Sequence, residues 1–302
     1  MRSIAAKLET NLKLDDQTHA PLPQLPPRPA DSHKGDYGRA LLIGGSCGLS
    51  GAIALAGRAT LRSGAGLVTL AVPRAVQDVV ASLEPSYMTH GLPDENGRIA
   101  AAACDEVMEL AQTATVLALG PGLGRDPVLT EFVARLYREI KKPMVVDADA
   151  LFALAESFGI LGEPGGVRVL TPHPGEFARF TNERLDEDRH IEAAAALAAR
   201  DSSQQTIVLL KGHRTVVTDG QRYSLNNTGN PGMATGGAGD VLTGIITGLM
   251  CQGLAPFDAA RLGAHLHGSA GDLAVESVGE VSMIAGDLID YLPMAIQALS
   301  RT

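Results

Sequence analysis

The residues from Asn226 to Gly244 read NNTGNPGMATGGAGDVLTG and gather Gly229, Gly232, Gly236, Gly237 and Gly239 ahead of one carboxylate, Asp240. An apolar, helix-like run, Val241-Leu242-Thr243-Gly244-Ile245-Ile246, follows at once. Glycines this dense before a helix let successive backbone N–H groups turn toward one point. The helix N-terminus adds about half a positive charge there. Together they make an anion site. A carboxylate beside it would repel a statically held anion. The pairing makes sense if Asp240 removes a proton while the amides of the loop, Gly237 and Gly239 among them, hold a phosphate in transfer.

Other chemically able residues are more ambiguous taken singly. Gly120-x-Gly122-x-Gly124 misses the dinucleotide-binding spacing, whose third glycine comes one residue later, and no Walker lysine follows any glycine run. It reads as a tight turn or as a flat backbone wall against a substrate. Asp147 and Asp149 suit a helix N-cap or a substrate contact. His173 lies between Pro172 and Pro174, which stiffen the loop that presents it. Glu176 fits either a first-turn acid favoured by the helix dipole or an outer-sphere contact to magnesium through water. Lys211-Gly212-His213-Arg214-Thr215 fits a solvated hairpin, or a basic turn against a nucleotide's phosphates. His265 and His267 are two apart on a helical run, so they cannot share a metal and are expected to pack. His33 and Lys34, with Gly35, precede the first strand and could reach over the site.

Stepping along the chain, short and almost continuously apolar runs occur at Ala40–Ile43, Leu67–Val72, Thr115–Leu119, Pro143–Val146, Val167–Leu170, Thr206–Leu210 and Thr215–Thr218. Such runs are strands covered on both faces. Helical patterns fall at Ala52–Arg62, Ala100–Gln112, Val128–Ile140, Ile191–Arg200, Asp240–Cys251, Asp258–Glu276 and Ser282–Leu299. The alternation predicts an α/β fold, a central mostly parallel sheet with helices on both faces. The last two strands, around Lys211–Arg214, predict a hairpin at the sheet edge. Ligands in such folds lie beyond the carboxyl ends of the strands. Gly44-Gly45-Ser46, Gly120–Gly124, Asp147–Asp149, Thr171–Glu176 and Lys211-Gly212 all follow strands, so they converge on one site.

Composition narrows the class. Across 302 residues, 45% are hydrophobic, there is no Trp, and the net charge is −9. The acidic balance and the lack of basic runs argue against nucleic acid. Cys47, Cys104 and Cys251 have no metal or disulfide spacing and suit a reduced compartment. With no signal-peptide pattern and no apolar run long enough for a bilayer, the expectation is a soluble, cytoplasmic protein. Residues 1–30, with Pro21, Pro23, Pro26, Pro27 and Pro29, read as a proline-rich tail ahead of one domain over 31–302. The apolar, alanine-rich C-terminal helices could form core or interface, and a homo-oligomer is expected.

Five segments together resemble a known family. Asn230–Asp240 resembles the signature of the ADP/ATP-dependent NAD(P)H-hydrate dehydratases of the ribokinase-like superfamily. Thr171–Glu176 looks like their second signature and Ser32–Gly38 their opening one. Asp147–Leu151 and Gly120–Gly124 also match, and the resemblance runs from about residue 31 to the C-terminus. It implies a ribokinase-like fold and a lyase that repairs hydrated NADH and NADPH. ADP, or ATP, would be co-substrate with Mg2+; bacterial members typically use ADP. It implies that Ala52, Gly122, His173 and Asp240 line the hydrate site, and that Lys211, Gly212, His213, Arg214, Thr215 and Gly239 contact the adenine nucleotide. Many bacterial members carry an N-terminal epimerase domain. Here only the proline-rich segment precedes the matching region, so a separate epimerase is expected to supply the S epimer. The implied chemistry is phosphorylation of the hydrate hydroxyl followed by phosphate elimination. Rival readings are another ribokinase-like small-molecule kinase, which would release a stable phosphoester, and a catalytically silent nucleotide-binding regulator.

Overall fold

The computed structural model describes residues 13–182 and 184–299. In chain order the strands are β1 (Asp15–Asp16), β2 (Arg39–Ile43), β3 (Leu67–Pro73), β4 (Met88–Leu92), β5 (Asp94–Glu95), β6 (Arg98–Ile99), β7 (Val116–Leu119), β8 (Met144–Val146), β9 (Arg168–Leu170), β10 (Thr206–Leu210), β11 (Val216–Thr218) and β12 (Arg222–Leu225). The α-helices are α1 (Ser50–Arg62), α2 (Gln77–Leu83), α3 (Cys104–Thr113), α4 (Pro127–Glu139), α5 (Ala148–Glu156), α6 (Pro174–Thr181), α7 (His190–Ala198), α8 (Ala238–Cys251), α9 (Pro256–Ser282) and α10 (Ala285–Leu299).

Ten strands form one sheet in the order β1-β12-β11-β10-β9-β8-β7-β2-β3-β4, with β5 and β6 pairing separately. Only β11 runs against its neighbours in the large sheet. The β10–β11 hairpin forms as expected but is not the edge, because β12 and β1 lie outside it. Side chains alternate between two cores. Ala40, Leu42, Ala118, Val145 and Leu209 face α1, α8, α9 and α10. Leu41, Ile43, Leu119, Val146 and Leu210 face α3, α4, α5, α6 and α7. This two-sided burial is why the strand sequences are apolar without alternation. Among the described residues, no helix is long and apolar enough to cross a membrane.

Close packing of α1 on α8 brings the glycine-rich loop to the sheet. A Cβ on Gly244 would lie 2.2 Å from the Ala56 carbonyl oxygen, and one on Gly248 2.7 Å from that of Thr60. The Thr60 hydroxyl donates to the Gly244 carbonyl at 3.1 Å. Any side chain at Gly244 would push the helices apart.

The proline-rich segment is tied to this body where it is described. Residues of β1 pair with β12, and the buried Arg261 guanidinium donates to the carbonyls of Ala20 and Pro21. Arg28 stacks over Tyr37 and donates to the Gly64 carbonyl at 2.7 Å. The proline-rich sequence suggested an extended segment but not its attachment, which rests on strand pairing, on Arg28 and on the distant Arg261. Residues 1–12 of the expected tail lie outside the described residues.

Candidate active site

Helix α8 begins after Gly237, whose φ of 91° places it in the left-handed region. Glycine adopts that conformation without penalty, and a Cβ there would also lie 2.6 Å from Leu55. Asp240 is therefore the third residue of the helix, within its first turn, with the free amides of the helix start beside it. The loop is held from α9. Asp272 accepts from the Gly229 amide at 2.9 Å and from the Asn230 side chain at 3.1 Å. His267 contributes a ring nitrogen 2.9 Å from the Ala238 carbonyl, which can only accept, so that nitrogen carries the proton. Burial pushes His267 down to about 4, keeping the ring neutral. The expected packing role thus includes a polar one.

Lys211, at the end of β10, is the cation of the site. Its ammonium lies 2.8 Å from Asp147 Oδ1 and 4.0 Å from Glu176 Oε2. A Cβ on Gly239 would come within 3.1 Å of Lys211 Nζ, so the ammonium lies directly over the residue preceding Asp240. Burial alone would lower the Lys211 pKa, but Asp147, Glu176 and Asp240 outweigh it and hold the ammonium above its ordinary value. Asp240 shows the reverse balance. Burial, together with the charges of Asp147, Asp149 and Glu176, raises it to about 7 against the pull of Lys211. A carboxylate at that value can accept a proton near neutral pH and release it again.

His173 and Glu176 form a reciprocal cap at the start of α6. His173 Nδ1 accepts from the amides of Gly175 and Glu176 at 2.9 and 3.3 Å, and Glu176 Oε2 accepts from the His173 amide at 2.9 Å. Burial first, and then Lys211, lowers the His173 pKa. Its side chain is 54% accessible, with Nε2 3.5 Å from Glu176 Oε1. Glu176 is 11% accessible and raised to about 7, chiefly by burial. Among the described residues, no three His, Cys, Asp or Glu side chains are grouped to hold a metal ion. The hard oxygens of Glu176 and Asp240 fit an ion that arrives with phosphate ligands and its own waters, since magnesium needs few protein ligands.

On the other side of the glycine loop, Ala52 and Gly122 adjoin each other. A Cβ on Gly122, which has φ 63°, would lie 3.1 Å from that of Ala52. The buried Ser46 hydroxyl donates to the Gly122 carbonyl at 2.9 Å. Leu55, one turn beyond Ala52 on α1, touches the Gly237 position. These contacts put the expected hydrate-site residues on both flanks of the anion loop. Asp149 accepts from the Gly124 amide at 2.9 Å and pairs with Arg125 at 2.8 Å, fixing the neighbouring turn. Beyond Lys211, the expected nucleotide contacts follow outward. Gly212, His213 and Arg214 are exposed, and the Thr215 hydroxyl donates to the Gly212 carbonyl at 3.1 Å, closing the turn.

His33 and Lys34 do not reach this site. They sit before β2, and the neighbouring Gly38 carbonyl accepts from the Leu67 amide at the start of β3. That is the amino end of the strands, opposite the cluster. The Asp147–Thr243 bond and the His267 contact to the Ala238 carbonyl were not legible from sequence, because their partners lie far apart in the chain. The apolar strand end before Asp147 was the only local signal.

The residues 40–294 match the family model described as NAD(P)H-hydrate dehydratase. A bifunctional NAD(P)H-hydrate repair enzyme of Moorella thermoacetica is 52% identical over 284 residues, 92% of this chain and 53% of that protein. The chain spans about half the length of the curated relatives it matches. The solved structure of an ADP/ATP-dependent NAD(P)H-hydrate dehydratase from Bacillus subtilis, co-crystallised with ATP and Mg2+, is similar at 32% identity, with a TM-score of 0.77 over 91% of this chain and 94% of that one. Arabidopsis thaliana ribokinase, at 15% identity and a TM-score of 0.52, shares the fold. The chain belongs to the NAD(P)H-hydrate dehydratase family, and its fold is ribokinase-like.

Proposed function

We propose that this member of the family is a nucleotide-driven (S)-NAD(P)H-hydrate dehydratase, a lyase whose domain spans residues 31–302. The observation that carries the reading is Asp240, a proton acceptor near neutral pH, in the first turn of α8 between the loop amides and the Lys211 ammonium. Hydroxide leaves a hydrated dihydronicotinamide ring poorly. Asp240 accepts the hydroxyl proton as that oxygen attacks the terminal phosphorus of ADP or ATP. A new O–P bond forms and the bond to the departing nucleotide breaks. The amides of Gly236 to Gly239 and Lys211 stabilise the charge on the transferring group. The ring nitrogen lone pair then expels phosphate, and loss of a neighbouring ring proton restores NADH or NADPH.

Magnesium, when bound, would neutralise the nucleotide phosphates, with Glu176 as an outer-sphere contact. Lys211 to Thr215 and Gly239 hold the adenine nucleotide, while Ala52, Gly122 and His173 face the hydrate. The Bacillus relative, described as ADP/ATP-dependent and crystallised with ATP and Mg2+, supports this choice of co-substrate. We place the activity in the cytoplasm, where reduced nicotinamide nucleotides are used. Incubation with NADH hydrate and either nucleotide tests the reading. Free phosphate should appear together with the absorbance of the reduced ring. A stable phosphoester would instead identify a small-molecule kinase, and tight nucleotide binding without turnover a silent regulator.

A further inference from the structure

Asp147 occupies the N-cap position of α5, yet its side chain caps nothing there. Aspartate is favoured at that position because its oxygen accepts from the second or third helical amide, and this one forgoes the bond. The following residue, Ala148, has φ 50°, a left-handed conformation that costs a non-glycine residue on the order of 1 kcal/mol. The carboxylate is instead committed to two side chains from other elements. Oδ1 holds the Lys211 ammonium at 2.8 Å, and Oδ2 accepts from the Thr243 hydroxyl at 2.7 Å. Asp147 is 1% accessible and Lys211 19%. Thr243 lies three residues beyond Asp240 on α8, so one carboxylate joins the ends of β8 and β10 to the second turn of the helix that carries the base.

Its backbone is equally fixed. The Asp147 amide donates to the Leu119 carbonyl at 3.0 Å, and a Cβ on Gly120 would lie 1.9 Å from the Asp147 carbonyl oxygen. A lysine has four side-chain torsions and three interchangeable donors, so it does not hold an ammonium in place unaided. Here the free side of the ammonium is directed over Gly239, where a phosphate drawn to the loop amides would lie.

We propose that Asp147 is a positioning residue. Locked by Thr243, it fixes the Lys211 ammonium over the glycine loop so that the cation meets the transferring phosphoryl group and not solvent. Asp147 acts through Lys211 and touches neither substrate. The inference rests on the phosphoryl-transfer reading above. A pair serving only as a stability anchor has no reason to point its cation at the helix start that carries a base.

The test is a double-mutant cycle in the hydrate assay, with folding followed by thermal melting. Wild-type turnover comes first, because its absence overturns the dehydratase reading itself and not only the role of Asp147. Given turnover, Asp147→Asn should lower kcat by about 10²-fold, the scale for a displaced catalytic group, while the hydrate KM changes less than about threefold. In the Lys211→Met background the same substitution should cost almost nothing, since the residue it positions is gone. If Asp147→Asn does not fold, Thr243→Val removes only the lock on Oδ2. It should lower kcat by about 3–10-fold, an effect that also vanishes beside Lys211→Met. A folded Asp147→Asn or Thr243→Val enzyme with wild-type kcat overturns the proposal. So do losses that multiply with that of Lys211→Met.

Discussion

Asp240→Asn separates what the carboxylate does for chemistry from what it does to the fold. Its folded pKa is raised from 3.8 to about 7, by burial and then by the charges of Asp147, Asp149 and Glu176. Between those two values the folded chain binds a proton that the unfolded chain has released. Stability therefore falls as pH rises through that window, and the full penalty is present above pH 7. The unscreened shift corresponds to about 4 kcal/mol, and solvent access to the half-buried group reduces it to about 1–3 kcal/mol. Asparagine keeps the shape and stays neutral. The substituted protein should thus be more stable than the parent at pH 8, by roughly 2–4 °C in Tm per kcal/mol for a domain of this size. The difference should close below about pH 4, where the native carboxyl is protonated in both states. Turnover should meanwhile fall by about 10²–10⁴-fold, the effect of removing a general base. Paired melting curves at pH 4 and pH 8 and a phosphate-release assay read both effects. A variant that melts below the parent at pH 8, or that keeps its turnover, refutes the reasoning.

Three further outcomes follow from the same geometry. Gly239→Ala places a methyl group 3.1 Å from Lys211 Nζ at an unstrained position, so kcat should fall about tenfold or more with less than about 1 kcal/mol lost in urea unfolding. Arg168→Ala should destabilise the fold by at least about 3 kcal/mol, measured the same way, because the buried guanidinium serves the carbonyls of Tyr137, Ile140, Lys142 and Val167. Turnover per folded molecule should then be nearly unchanged, since those carbonyls are remote from the cluster. Chelation of Mg2+ should abolish turnover, while Mg2+ without nucleotide should leave Tm within about 1 °C, given that no three-ligand group is present among the described residues.

The core strands of the parallel sheet and the helix start at the glycine run were legible because their signals are local. Continuous apolar runs such as Val145–Val146 report burial on both faces, and the glycine run before Asp240 reports a helix start. The strands that were missed lack that signal. Met88–Leu92 contains Thr89, His90 and Gly91 at the open edge of the sheet, and Arg222–Leu225 is only half-buried. Helices α2 and α6 are short, with 7 and 8 residues, too few turns for a periodic pattern to emerge. Within the site, Asp240, Lys211 and His173 were visible as residue types after strands or glycines. Their partners were not, because the Asp147–Thr243 bond spans 96 positions. The Arg261 anchor on Ala20 spans 241. His33 was misplaced for a related reason: nearness to a strand in sequence does not say at which end of the sheet the residue lies.

The most direct test of the central claim follows the hydrate oxygen. NADH hydrate carrying 18O in its ring hydroxyl is turned over with ADP or ATP, and the products are analysed by mass spectrometry. If that oxygen attacks phosphorus with Asp240 as base, the ring carbon–oxygen bond is the one that breaks. The label then appears in the released phosphate, one atom per NADH restored. Label found in water beside unlabelled phosphate would mean that the hydroxyl left without being phosphorylated, and would contradict the account.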